Sequence, residues 1–214
     1  MPAKGRPQES LLQFIRLRLT FSKTDSLKYI GHLDLHRTLE RTFRRAGLPL
    51  AYSQGFNPQP KMNLAEALPL GITSECEVMD VWLEKPIDLE QAKKDLDRAT
   101  PPGMQILSLN EVDERLPPLQ TQVVAAEYRV IVSGGVTVDL ASRVRELLSQ
   151  SSLMRERRGK HYDLRPLIES LSVEDNVLVM KLSARDGATG RPEEVLKALG
   201  VEGERVHRSK LFFV

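Results

Sequence analysis

The chain has 214 residues, 41% hydrophobic and 28% charged, with a formal net charge of +2, so it can build a real core as one large domain or two small ones. Its single cysteine, Cys76, excludes an internal disulfide, a Cys-paired zinc site and a self-contained iron–sulfur cluster. No apolar run approaches the length of a bilayer span and "MPAKGRPQES" lacks the apolar stretch of a signal peptide, so no membrane association and a cytoplasmic protein are expected.

In chain order, "FIRLRLTFSK" alternates Phe14, Arg16, Arg18 and Thr20 with Ile15, Leu17, Leu19 and Phe21, the period of a strand with one buried and one wet face. A helix follows, with Asp34 as its expected N-cap, Leu35, Leu39, Phe43 and Ala46 on one face, and Gly47 and Pro49 as its stop. "LPLAYS" and "CEVMDVWLEK" read as strands, "DLEQAKKDLDRA" as a helix and "GMQILSLNEV" as a strand. "DERLPPLQTQ" is a connector, because Pro117 and Pro118 interrupt regular structure. The order then recurs through "AAEYRVIVSG", the helix "TVDLASRVRELLSQS", the strands "LMRERRGKHY" and "NVLVMKLSA", the helix "RPEEVLKALG" and the strand "ERVHRSKLFFV". "DLRPLIESL" has no counterpart in the first half. The expected fold is α+β, two tandem ferredoxin-like (βαββαβ) halves over 12–112 and 123–214, with a flexible tail over 1–11 and a connector over 113–122.

Charge is segregated along the chain. Met1 to Lys61 carries eleven Lys/Arg against four Asp/Glu, and Met62 to Gln120 five against twelve. A basic face on a nearly neutral protein suits an anionic partner, unless the two segments neutralise each other in the fold. Arg37, Arg41, Arg44 and Arg45 fall along one stripe of the first helix, where a phosphate backbone would match their rigid donor forks. "RERRGKHYDLR" adds Arg155, Arg157, Arg158, Lys160, His161 and Arg165 around Tyr162, and strand residues Arg16 and Arg18 are a third basic group. The loop "AYSQGFNPQPKMN" sets Tyr52, Ser53, Gln54, Phe56, Asn57, Gln59 and Lys61 on a backbone stiffened by Pro58 and Pro60. Amides and aromatics there suit reading base edges or holding a substrate, but they are poor acid–base groups. These features are expected to converge on one surface that grips an anionic macromolecule.

No nucleophile elbow, phosphate-cradling glycine loop, dinucleotide fingerprint or metal-ligand spacing is present. The one catalytic candidate is His32, at the start of the arginine helix, where an imidazole could move a proton, touch a phosphate or fix the turn.

The run from Lys28 to Leu83, with Gly31-His32-Leu33-Asp34 and the loop motif from Tyr52 to Pro60, closely resembles the bacterial family of radical-SAM-linked proteins of unknown function. The similarity is dense from Arg16 to about Gln105 and continues through "RGKHYDLRPLIESL" and "GATGRPEEVLKALG". Members occur alone or as the C-terminal part of a cobalamin-binding radical SAM protein, often encoded near an RNase E/G-type ribonuclease and ribosomal protein genes. Members commonly carry histidine where Asn57 and Gln59 stand here, and the exchange favours presentation or recognition over metal or acid–base chemistry. The resemblance implies partnership with a radical SAM enzyme that itself holds S-adenosylmethionine and the iron–sulfur cluster, since this chain holds no cofactor of its own. The expectation is a non-catalytic accessory protein that binds or presents an RNA or ribosomal substrate. The alternatives are a metal-independent endoribonuclease-like enzyme using His32 and a purely protein-docking module.

Overall fold

A computed structural model describes residues 14–134, 138–157, 159–174 and 177–214, and shows a mixed α+β fold. The expected tail over 1–11 and the candidate Arg158 lie outside the described residues.

The first half contains β1 (Ile15–Lys23), α1 (His32–Arg45), β2 (Met62–Leu64), β3 (Thr73–Leu83), α2 (Leu89–Ala99) and β4 (Met104–Val112). Its strands pair antiparallel in the order β2-β3-β1-β4. The period-two pattern of β1 points Leu17, Leu19 and Phe21 at the helices, where they pack with Leu35, Leu39 and Phe43 of α1 and Leu96 of α2. Asp88 caps α2 by accepting a hydrogen bond from the Gln91 N–H at 3.1 Å. The expected cap of α1 is corrected: the N-cap is Gly31, with no side-chain bond, and Asp34 sits inside the first turn, where its charge complements the helix dipole. The strand expected at "LPLAYS" is also corrected. Pro49 has no N–H to extend a ladder, so this stretch makes only the isolated bridges Leu50–Leu83 and Tyr52–Pro60, and the second strand forms beyond the loop at β2.

A connecting turn, α3 (Leu119–Gln122), leads into the second half: β5 (Val123–Val132), α4 (Val138–Ser149), β6 (Met154–Arg157), β7 (Lys160–Asp163), β8 (Ile168–Glu174), β9 (Val177–Arg185), β10 (Ala188–Thr189), α5 (Pro192–Leu199) and β11 (Gly203–Phe213). Here β8-β9-β5-β11 pair antiparallel, the same order as in the first half. α5 starts on Pro192 and stops at Gly200, whose φ of +66° is the left-handed conformation that a glycine adopts without strain. The strand expected at "LMRERRGKHY" is instead a separate two-stranded hairpin, β6–β7, and the supposedly extra "DLRPLIESL" supplies β8. The reason is apolar content: Ile168 and Leu171 of β8 are buried in the core, whereas the hairpin offers the core almost nothing.

The halves join edge to edge. β11 pairs parallel with β3 at His207–Thr73 and Arg208–Ser74, making one nine-stranded sheet. Among the described residues, no helix is long and apolar enough to cross a membrane.

Candidate functional site

α1 turns its leucine face to the sheet and therefore turns Arg37, Arg41, Arg44 and Arg45 to solvent, all four exposed. Their partners are weak ones. Arg37 lies 3.6 Å from Asp34 and Arg44 3.6 Å from Glu40, Arg45 donates to the Ala99 carbonyl at 2.6 Å, and Arg41 has no partner among the described residues. An exposed Asp34 and a half-buried Glu40, each 3.6 Å away, neutralise little of the stripe's field.

Arg16 and Arg18 do something different from the phosphate contact expected of them. Both project from the β1 face opposite the helices, but that face is not wet at Arg16, which is 2% exposed. Its guanidinium bonds Asp80 on β3 at 2.6 and 2.9 Å, then the carbonyls of Leu116 and Pro117 in the connector. Arg18, half-buried, holds the other side of the same carboxylate at 2.8 and 2.9 Å. The physical reason is coverage: the connector crosses this face, so a buried carboxylate is needed to offset the buried guanidinium. Arg165 is likewise structural, donating to the Leu148 carbonyl at the end of α4 and to the Ile168 carbonyl.

On the β6–β7 hairpin the register puts Arg155, Arg157, Lys160 and Tyr162 on one face and His161 on the other, with the Arg157 guanidinium 5.8 Å from the Tyr162 ring centre. Lys160, His161 and Arg157 are exposed.

The amide loop is a hairpin tip with a closed base. Tyr52 bridges Pro60, the Ser53 N–H donates to the Gln59 carbonyl at 2.8 Å, and the Gln59 N–H donates to Ser53 Oγ at 3.0 Å. Gly55, at φ +136°, makes the turn, and Gln54, Phe56, Asn57 and Gln59 stand out from it, Phe56 fully exposed. Under the base is a cleft of about 440 Å³ lined by Ser53, Gln59, Pro60, Lys61, Met62, Asn63 and Trp82. Asn63 pairs with Asp80, so it shares the sheet face of Arg18 and lies opposite the helices. Trp82 pairs with Arg16 across β1 and has its guanidinium 5.0 Å from the ring centre.

A second hollow, of about 370 Å³, lies at the start of α1 and is lined by His32, His36, Asn63, Glu66 and Gln120 among others. It shares the lining residues Met62 and Asn63 with the first. Burial, then the neighbouring His36, lowers the His32 pKa below its ordinary value, and burial raises that of Glu66. An imidazole and a carboxyl beside each other could exchange protons with a bound group. Behind them Arg208 forks onto Glu77 at 2.6 Å and donates to the Glu66 carbonyl at 3.2 Å. Burial pushes the Cys76 thiol up to about 11, so Cys76 is no nucleophile at neutral pH. Among the described residues no three of His, Cys, Asp and Glu are grouped to hold a metal.

The expected single surface is therefore three. The arginine stripe lies on the helix side of the first half, Arg16, Arg18 and Asn63 lie on the opposite side of its sheet, and the basic hairpin belongs to the second half. Trp82, Asn63 and Glu66 are the residues that sequence reasoning missed. A signal for Trp82 existed: in "CEVMDVWLEK" it shares strand parity with Asp80, away from the helix-facing Met79 and Val81.

No curated protein matches the chain at a significant level. Among solved structures it is similar to a chain in the "Crystal structure of the archaeal box H/ACA sRNP Nop10-Cbf5 complex", with 12% identity and a TM-score of 0.43 over 97% of this chain and 50% of that one. It thus spans half the length of that chain, and the likeness is too distant to carry a fold or a function across. Residues 16–192 match the family model described as "Uncharacterized protein conserved in bacteria (DUF2344)", and the chain belongs to that family.

Proposed function

We propose that this protein is a non-catalytic accessory of a radical SAM enzyme that binds an RNA or ribosomal substrate and presents it. The observation that carries the reading is the outward face of α1, where Arg37, Arg41 and Arg44 are exposed with no buried carboxylate to hold them. Guanidiniums so placed repel one another until an anion lies across them, and a phosphate backbone is the anion whose spacing and oxygen geometry suit a helical stripe. The β6–β7 hairpin offers a second cationic face with an aromatic ring, and the fully exposed Phe56 a platform for an unstacked base. We read the two halves as tandem ferredoxin-like units, since each repeats the same elements and the same strand order. S-adenosylmethionine and the iron–sulfur cluster belong to the partner in this reading, because the chain has one cysteine and that one is half-buried with a raised pKa. An RNA or ribosomal substrate places the work in the cytoplasm.

Filter binding of the full chain to cellular RNA tests this. Affinity should fall linearly with the logarithm of salt, and the Arg37→Ala, Arg41→Ala, Arg44→Ala triple variant should lower the slope by about 2, from roughly 0.7 per single-strand phosphate contact. Salt-independent affinity, or an unchanged triple variant, would refute it. The hollow at His32, His36 and Glu66 favours a second reading, a metal-independent RNA-cleaving enzyme. Cleavage of the probe RNA that His32→Ala abolishes would establish that reading instead.

A further inference from the structure

We propose that the cleft at the base of the amide loop is a subsite for one unstacked nucleobase, held against Trp82, read by Gln59 and Asn63, with Lys61 beside its phosphate. It deepens the RNA reading and rests on it for the source of the base, although a free nucleotide presents the same chemistry.

Four features support this ligand class. The first is size: about 440 Å³ lies within the range of sites for small organic ligands. The second is a flat wall backed by a fixed group. Arg16 lies 5.0 Å from the Trp82 ring centre and is itself fixed by Asp80 and the connector carbonyls, so the indole is clamped by a fully buried anchor. The third is unused polar capacity. The backbone around the cleft is satisfied, with the Lys61 N–H donating to Ala51, the Trp82 N–H to Lys61, the Ala51 N–H to Trp82 and the Ser53 N–H to Gln59. The side-chain amides of Gln59 and Asn63 have no hydrogen-bond partner among the described residues. Each offers a donor and an acceptor side by side, the pairing that a base edge presents.

The fourth is charge. Arg16 and Arg18 share the single carboxylate of Asp80, which leaves one positive charge over in a largely buried triad on the sheet face that Asn63 occupies. Lys61 adds another, its ammonium 3.9 Å from the Phe14 ring centre. An uncharged ring would use the wall and the amides but not this excess, whereas a nucleotide uses all three.

Trp82 is the only tryptophan in the chain, so its emission reports on this cleft directly. The full chain is titrated with adenosine monophosphate, with a short single-stranded RNA and with inorganic phosphate. Saturable quenching by the mononucleotide or by the RNA is expected, and quenching by the RNA alone would assign the base to a strand. The Gln59→Ala, Asn63→Ala double variant should weaken the response at least tenfold while keeping the unliganded emission spectrum. The proposal is overturned if neither nucleotide probe quenches, if the double variant responds like the parent, or if phosphate alone gives the same response. The two readings fail separately. The stripe variant should retain the mononucleotide response, and salt-dependent filter binding without any quenching refutes the cleft while leaving the stripe in place.

Discussion

Asp80 shows how one residue decides what its neighbours can do. It is fully buried, accepts from two guanidiniums, and through Arg16 ties the connector to the sheet. Replacing it by asparagine keeps the shape but leaves two positive charges in or near the interior without a counter-charge. Loss of one partner of a buried ion pair typically costs about 3–5 kcal/mol, so Asp80→Asn should lower the unfolding free energy obtained from urea titration by an amount in that range. A change below about 1 kcal/mol would show that the connector carbonyls and solvent suffice for the two arginines. The alternation of β1 was legible in the sequence, and it correctly put Arg16 and Arg18 on one face. Which face stays wet was not legible, because the atoms that cover Arg16 belong to Leu116 and Pro117, about a hundred residues further along the chain. His32 was legible as a residue at a helix start, but Glu66 was not legible as its neighbour across a hollow, for the same reason.

At the level of elements, strong periodicity was readable, whereas the N-cap of α1 and the short edge pieces were not. α2 begins one residue after Asp88, and α5 begins on Pro192 and ends just before Gly200. β2 has three residues and no pattern of its own, so only its pairing with β3 defines it. The β6–β7 hairpin is a similar case: nothing in its letters says that it leaves the main sheet. What fixes its base is Asp163, whose Oδ1 accepts the Leu153 N–H at 2.7 Å and the Arg165 N–H at 2.9 Å. Those two backbone bonds favour the charged carboxylate and hold the Asp163 pKa below its ordinary value of 3.8. A carboxyl with a depressed folded-state pKa contributes stability that is present above its unfolded value and is lost as pH falls through the lower folded value. Asp163→Asn should therefore be less stable than the parent at pH 7, with a gap that narrows as pH falls below about 4. Urea midpoints of the two proteins across pH 2.5–7 give the measurement. A gap that stays constant over that range would show that the carboxylate charge is not what holds the hairpin base.

Across the whole molecule, the two halves are one sheet only because β11 lies between β5 and β3, and its hold on β3 is short. β5 and β11 pair along most of their length, whereas β11 and β3 pair at only two positions. Coupling between the halves must therefore come from side chains at this seam, and the central one is Arg208, fully buried and forked onto Glu77 of β3. Tyr128 of β5 and Lys23 of β1 sit close enough to feel the same charges, so the seam reaches both cores. Burial lowers the Lys23 pKa despite the attraction of Glu77, which means that its ammonium is held at a cost and depends on that carboxylate. Glu77→Gln removes the only anion paired with Arg208 among the described residues and weakens the support of Lys23 in the same step. The loss should be about 3–5 kcal/mol, concentrated at the seam rather than in either core. In the parent protein, Trp82 emission, which reports on the first half, and far-UV circular dichroism, which reports on both, should give one coincident urea transition. In Glu77→Gln the two probes should separate, because the ion pair is lost and what still crosses the seam is the packing of Ala65, Leu68, Ile72 and Val78 into the core of the second half. Coincident transitions in the variant would mean that two backbone pairings and the packing around them couple the halves without the ion pair.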